Sequence, residues 1–153
     1  MSGKDEIFKI IDTMMDNCKI DYNELKFQNI DSGFFEEYQN IRIVNSFLFS
    51  YSKIQDKIGA KLFRKVLYEL KEIDDENMPM KDILNILEKL SILEKASDWD
   101  RLREIRNSLA HEYPFDIEER IENIHLALEG FELLQTIYKN IYNKNIINNE
   151  FTH

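Results

Sequence analysis

Between residues 101 and 114 the chain reads RLREIRNSLAHEYP, and within it stand Arg101, Arg103, Arg106, Asn107, His111 and Tyr113. An imidazole titrates near neutral pH and can move the proton of a ribose 2′-hydroxyl or of a leaving oxygen. A guanidinium can hold a phosphate and stabilise charge growing on its oxygens. Arg106 with His111 therefore suits metal-independent cleavage of an RNA phosphodiester. Asn107 lies four residues before His111, close enough on a helix to orient its ring. Tyr113 can stack on a base or donate a hydrogen bond, and Arg103 and Arg101 can meet further phosphates. Each residue also has a plainer reading: an Arg anchoring an interface, a solvated His and Asn, a Tyr closing the core, and exposed Arg paired with Asp100 or Glu104.

On an ideal helix, residues five apart point about 140° away from each other, so Arg106 and His111 of one chain need not touch. Two things can bring such groups together. The helix geometry relaxes before Pro114, and a two-fold axis can set the segment against its copy. On a helical wheel Trp99, Leu102, Leu109 and Tyr113 share a face, and Arg106 falls inside it. A guanidinium buried without partners is too costly to expect. Arg106 must therefore be paired, or its face must open onto a cleft or another subunit.

The rest of the chain limits what this segment can serve. The formal net charge is -9, which argues against broad nucleic-acid binding and requires a local positive patch for any RNA contact. Three of the six Arg fall in the segment, the others being Arg42, Arg64 and Arg120. Cys18 is the one cysteine, so an intrachain disulfide cannot form, and it has no nearby His in sequence to make it a nucleophile. No spacing suits zinc or an EF-hand, no Gly-rich phosphate loop is present, and neither a metal nor a cofactor is expected. The chain shows no secretory signal and no apolar run that could span a bilayer, so a cytoplasmic protein is expected.

With four Gly and two Pro in 153 residues, few turns are available, and long helices are favoured over strands. The first helix is expected from about Asp5 to Lys26, with an Ile7, Ile10, Ile11, Met14 stripe and a break near Asp21. Asp31 or Ser32 should cap a second helix running from about Gly33 to Ile58. Its apolar residues cover nearly the whole circumference, which implies burial on more than one side. Gly59 is a candidate kink, after which residues 61–73 continue helically. Pro79 opens a short third helix. Ser97 and Asp98 should cap the fourth, which carries the segment and ends near Tyr113 because of Pro114. Asp116 caps the last, with its stripe at Ile117, Ile121, Ile124, Leu128, Phe131, Leu134 and Ile137 or Tyr138. His125 beside that stripe reads as structural. The expected fold is all-α: an antiparallel four-helix up-and-down bundle with an extra short helix, as a single domain over 1–145. The Asn-rich residues 146–153 should form a frayed tail.

Residues 103–114, REIRNSLAHEYP, resemble the signature of the HEPN superfamily: an Arg (Arg106), a polar residue (Asn107), three residues of any kind, and a His (His111). Continued to Tyr113, the pattern is similar to the form found in HepT-like toxins. The stretches KIQDKIGAKLF at 53–63 and ILNILEKL at 83–90 also resemble bacterial members, and the likeness spans roughly residues 35 to 140. It implies a homodimer whose motif helices face a shared cleft, and metal-independent endoribonuclease activity on single-stranded RNA. It further implies a toxin–antitoxin pair in which a minimal nucleotidyltransferase is the antitoxin and adds AMP to Tyr113. The alternative within the same family is a non-catalytic interaction subunit that docks the nucleotidyltransferase or binds a nucleotide.

Overall fold

The computed structural model describes residues 3–109 and 116–151, with side chains as far as residue 146. Its elements are α1 (Gly3–Lys26), a 3-10 helix (Ser32–Glu36), α2 (Tyr38–Lys57), a π-helical turn (Ile58–Leu62), α3 (Phe63–Glu69), α4 (Met80–Lys89), α5 (Ala96–Leu109) and α6 (Ile117–Phe151). The π turn joins α2 to α3 without a break, so the described residues form five helical rods, and no strand occurs among them.

In α1 the buried apolar residues are Phe8, Ile11, Met15, Cys18, Tyr22 and Leu25, spaced alternately by three and four. That spacing lays one seam along the rod. The stripe is displaced from the expected one, for Ile10 is largely exposed and Ile7 and Met14 only flank the core. The helix also runs unbroken through Asp21, whose Oδ2 accepts a 2.6 Å hydrogen bond from Ser46 on α2. With the Lys4–Glu69 ion pair at the other end, this contact sets α1 antiparallel to the α2–α3 rod.

The second helix starts later than its capping signal suggests. Asp31 does accept a hydrogen bond from the Phe34 backbone N–H at 3.1 Å, but the turn it caps is the 3-10 helix. Glu37 is extended, and α2 begins only at Tyr38. The break lets Phe34 reach the core, and Asn40 fastens the turn by donating to the Phe34 carbonyl at 2.9 Å. Nor is α2 enclosed on all sides. Val44, Phe47, Tyr51 and Ile54 are buried, whereas Tyr38 and Phe49 remain 74% and 66% exposed.

The third helix follows Pro79 as expected. The fourth starts at Ala96, one residue before its expected cap. Glu88, near the end of α4, accepts from the Ala96 backbone N–H at 3.3 Å, and Asp98 N–H bonds to the Lys95 carbonyl. Ser97 and Asp98 thus lie in the first turn, where the carboxylate still favours the helix dipole. Asp116 caps the last helix through a 2.9 Å bond to the Glu118 N–H. That helix buries Ile124, Ala127, Phe131, Leu134, Ile137, Tyr138 and Ile141, and remains helical to Phe151, into the Asn-rich stretch expected to fray. Among the described residues no helix is long and apolar enough to cross a membrane.

Candidate functional site

Helix α5 packs against the C-terminal part of α2 through a close approach at Gly59. A Cβ at this position would lie 2.8 Å from Trp99 Cζ2, closer than carbon atoms normally come. Trp99 is buried and meets Phe63 edge-on at 4.7 Å between ring centroids. The π turn is what brings Gly59 to this place: the Phe63 backbone N–H bonds to the Ile58 carbonyl, five residues back. Such a turn inserts one residue into the helical register, and π turns recur at functional sites.

The close packing sets Asp56, one turn before Gly59, opposite Arg106. Arg106 Nε donates to Asp56 Oδ1 at 3.1 Å and Arg106 Nη2 to Asp56 Oδ2 at 3.0 Å. This is the two-pronged Arg–carboxylate geometry, which adds orientation as well as energy. The pair is open to one side, with side-chain exposures of 29% for Arg106 and 49% for Asp56. Donation of its hydrogen bonds to Asp56 raises the Arg106 pKa above its ordinary value, more than burial lowers it, so the guanidinium stays charged. The expectation that Arg106 must be paired or face a cleft is met in both ways.

The cleft has a volume of about 550 Å³, and its wall includes Asp56, Arg64, Arg103, Arg106, Asn107 and Gln55. Three arginines thus line one cleft in a chain whose net charge is -9, and Asp56 pairs with Arg106 among them. Arg64 arrives from α3, its Nη1 donating to the backbone carbonyls of Glu76 and Met78. Arg103 is exposed, with Asp100 at 3.8 Å, a long ion pair. Gln55 is buried, and its Oε1 has no hydrogen-bond partner among the described residues. An unmet buried acceptor costs roughly 1–3 kcal/mol, which makes it an unspent polar group in the cleft wall.

Of the residues singled out from sequence, Arg106, Asn107 and Arg103 therefore line one cleft. Arg101 does not join them: it points toward α6, where Glu129 accepts from its Nη2 at 3.3 Å. His111 and Tyr113 lie outside the described residues. His125 is exposed on α6 and borders a second, smaller cleft with Tyr22, Lys26 and Glu132. Asp56, Arg64 and Gln55 were not visible as site residues. Asp56 and Gln55 sit within the KIQDKIGAKLF stretch that carries part of the family resemblance, but nothing local marks them as facing an Arg fifty positions away. Among the described residues no group of three or more His, Cys, Asp or Glu could hold a metal ion.

Comparison with protein-family models, with curated proteins and with solved structures finds no match for this chain.

Proposed function

We propose that the protein is a HEPN-type, metal-independent endoribonuclease acting on single-stranded RNA in the cytoplasm, as the toxin of a toxin–antitoxin pair. The observation that carries this reading is Arg106, oriented by Asp56 at a cleft that Arg64 and Arg103 also line, five residues before His111. Such a cleft supplies the local positive patch that an acidic chain needs to meet a polyanion. In this reading α1, α2–α3, α5 and α6 are the four long helices of a HEPN-like up-and-down bundle, and α4 is the extra short one. Two copies form the dimer and set their α5 helices across a shared cleft.

The reaction is an internal transesterification. The ribose 2′-oxygen attacks phosphorus and its proton passes to His111; the bond to the 5′-oxygen breaks, that oxygen takes a proton from water, and a 2′,3′-cyclic phosphate and a free 5′-hydroxyl result. Arg106 neutralises the non-bridging oxygens as charge grows on them, and Asn107 orients His111. Arg103 holds a neighbouring phosphate. Arg101, engaged by Glu129, contributes less than Arg103. A minimal nucleotidyltransferase is the proposed antitoxin, silencing the toxin by adding AMP to Tyr113.

Purified protein should cut single-stranded RNA in the presence of EDTA, and Arg106→Ala and His111→Ala should each abolish the cutting. Equal cleavage by these variants, or strict dependence on a divalent metal, overturns the mechanism. The net charge of -9 favours a second reading, a HEPN-fold subunit that docks a nucleotidyltransferase without cutting RNA. That reading expects no cleavage by the wild type but stable co-purification with the partner.

A further inference from the structure

We infer that Asp56 is a positioning residue: it holds the side edge of the Arg106 guanidinium so that the end edge stands ready for a phosphate group in the cleft. The inference rests on the proposed phosphodiester chemistry for its ligand, but its geometry stands on the Asp56–Arg106 pair itself. A guanidinium carries five N–H donors in a rigid plane. Asp56 takes the side edge, one proton from Nε and one from Nη2. Three donors remain, and two of them, one on each terminal nitrogen, point parallel along the end edge. That pair matches two oxygens of a phosphate as well as the side edge matches a carboxylate. Among the described residues Asp56 is the only acceptor that Arg106 meets, and none of them takes its end edge.

The other two cleft arginines are not held in this way. Arg64 spends Nη1 on backbone carbonyls, and the ion pair of Arg103 to Asp100 is stretched to 3.8 Å. Arg106 alone is gripped through two parallel hydrogen bonds. Its anchor is itself fixed, because Asp56 sits one turn ahead of Gly59, which Trp99 packs against. An incoming phosphate need not displace Asp56, since the two anions use different edges. Asp56 is therefore a support for the clamp and not a latch that must open.

The test uses the full chain with 15N-labelled arginine and inorganic phosphate as the probe. In the wild type the Arg106 Nε–H signal should be protected from exchange, and added phosphate should shift the terminal nitrogens while that signal persists. In Asp56→Asn the protection should be lost. With single-stranded RNA, Asp56→Asn should lower kcat by about tenfold to a hundredfold, the scale set by small misplacements of a catalytic group. KM should change little, because removing the carboxylate also removes its repulsion of phosphate. Asp56→Glu, which keeps the carboxylate, should regain part of the loss. Disappearance of the Nε–H signal on adding phosphate, or faster cleavage by Asp56→Asn, would show a latch and overturn the inference. Unchanged kcat in Asp56→Asn would overturn it too. If the wild type cuts no RNA, the enzymatic reading fails, and the phosphate titration still decides the role of Asp56.

Discussion

Gly59→Ala is the substitution that probes the joint between α2 and α5 most directly. The added carbon would lie 2.8 Å from Trp99 Cζ2 and 3.5 Å from Trp99 Cε2 and Nε1. Carbon atoms in contact settle about 3.5–4.0 Å apart, so the two helices must separate locally by about 0.7–1.2 Å. The ring cannot swing away, because Trp99 is buried and held edge-on by Phe63. Overpacking of this kind costs about 1–3 kcal/mol, and Ala returns up to about 1 kcal/mol of helix propensity. The net expectation is a destabilisation of up to about 2 kcal/mol. The same displacement, applied to hydrogen bonds of 3.1 and 3.0 Å, carries Asp56 and Arg106 beyond bonding range. Urea unfolding followed by the fluorescence of Trp99, the sole tryptophan, reads both the stability and the packing. Cleavage of single-stranded RNA should fall together with the Asp56–Arg106 contact. In a Trp99→Leu background the added methyl should be tolerated. A Gly59→Ala protein as stable as the wild type, with an unchanged Trp99 spectrum, would refute the close-approach argument.

A second close approach lies at Gly130, where a Cβ would come 2.7 Å from the hydroxyl of the fully buried Tyr51. That hydroxyl has no hydrogen-bond partner among the described residues, so Tyr51→Phe should leave urea stability unchanged or raise it by about 1 kcal/mol. Gly130→Ala should destabilise the wild type and be better tolerated beside Tyr51→Phe; equal effects in both backgrounds would disprove the clash. Alkali should destabilise the fold. Burial, with a smaller contribution from Asp21, pushes the Cys18 thiol from 9.0 up to about 12, and burial also raises Tyr51 and Tyr138. A raised folded pKa gives stability that is complete below the unfolded value and lost as pH climbs through the folded one. The loss from Cys18 therefore begins near pH 9 and amounts to about 2 kcal/mol at pH 10.5, to be read from urea midpoints at pH 8 and 10.5. Cys18 should also resist alkylation at pH 8 until urea unfolds the chain, and rapid reaction in the folded state would contradict its burial.

The helices were legible where the signal is local. Asp116 caps α6 because its own side chain reaches an N–H two residues on, and Pro79 precedes α4 because its fixed φ suits that place. Legibility fails where the partner comes from elsewhere. Ala96 starts α5 because Glu88, eight residues earlier, supplies the acceptor, and the strong Ser97–Asp98 signal misplaces the cap by ignoring it. Asp31 announces a cap correctly but says nothing about the length of what it caps, which burial of Phe34 decides. The candidate site divides in the same way. An Arg on an apolar helix face carries its own warning, since the free energy of burying a lone charge demands a partner or an opening. That demand is a property of one residue, so it can be read in one stretch of sequence. The identity of the partner is a property of two helices brought together by a glycine, a tryptophan and one extra residue in a helical turn. Asp56 lies fifty positions from Arg106, and no periodicity in either stretch encodes their distance. Physical necessity thus fixes that Arg106 must be answered, and only the packing of Gly59 on Trp99 decides that Asp56 answers it.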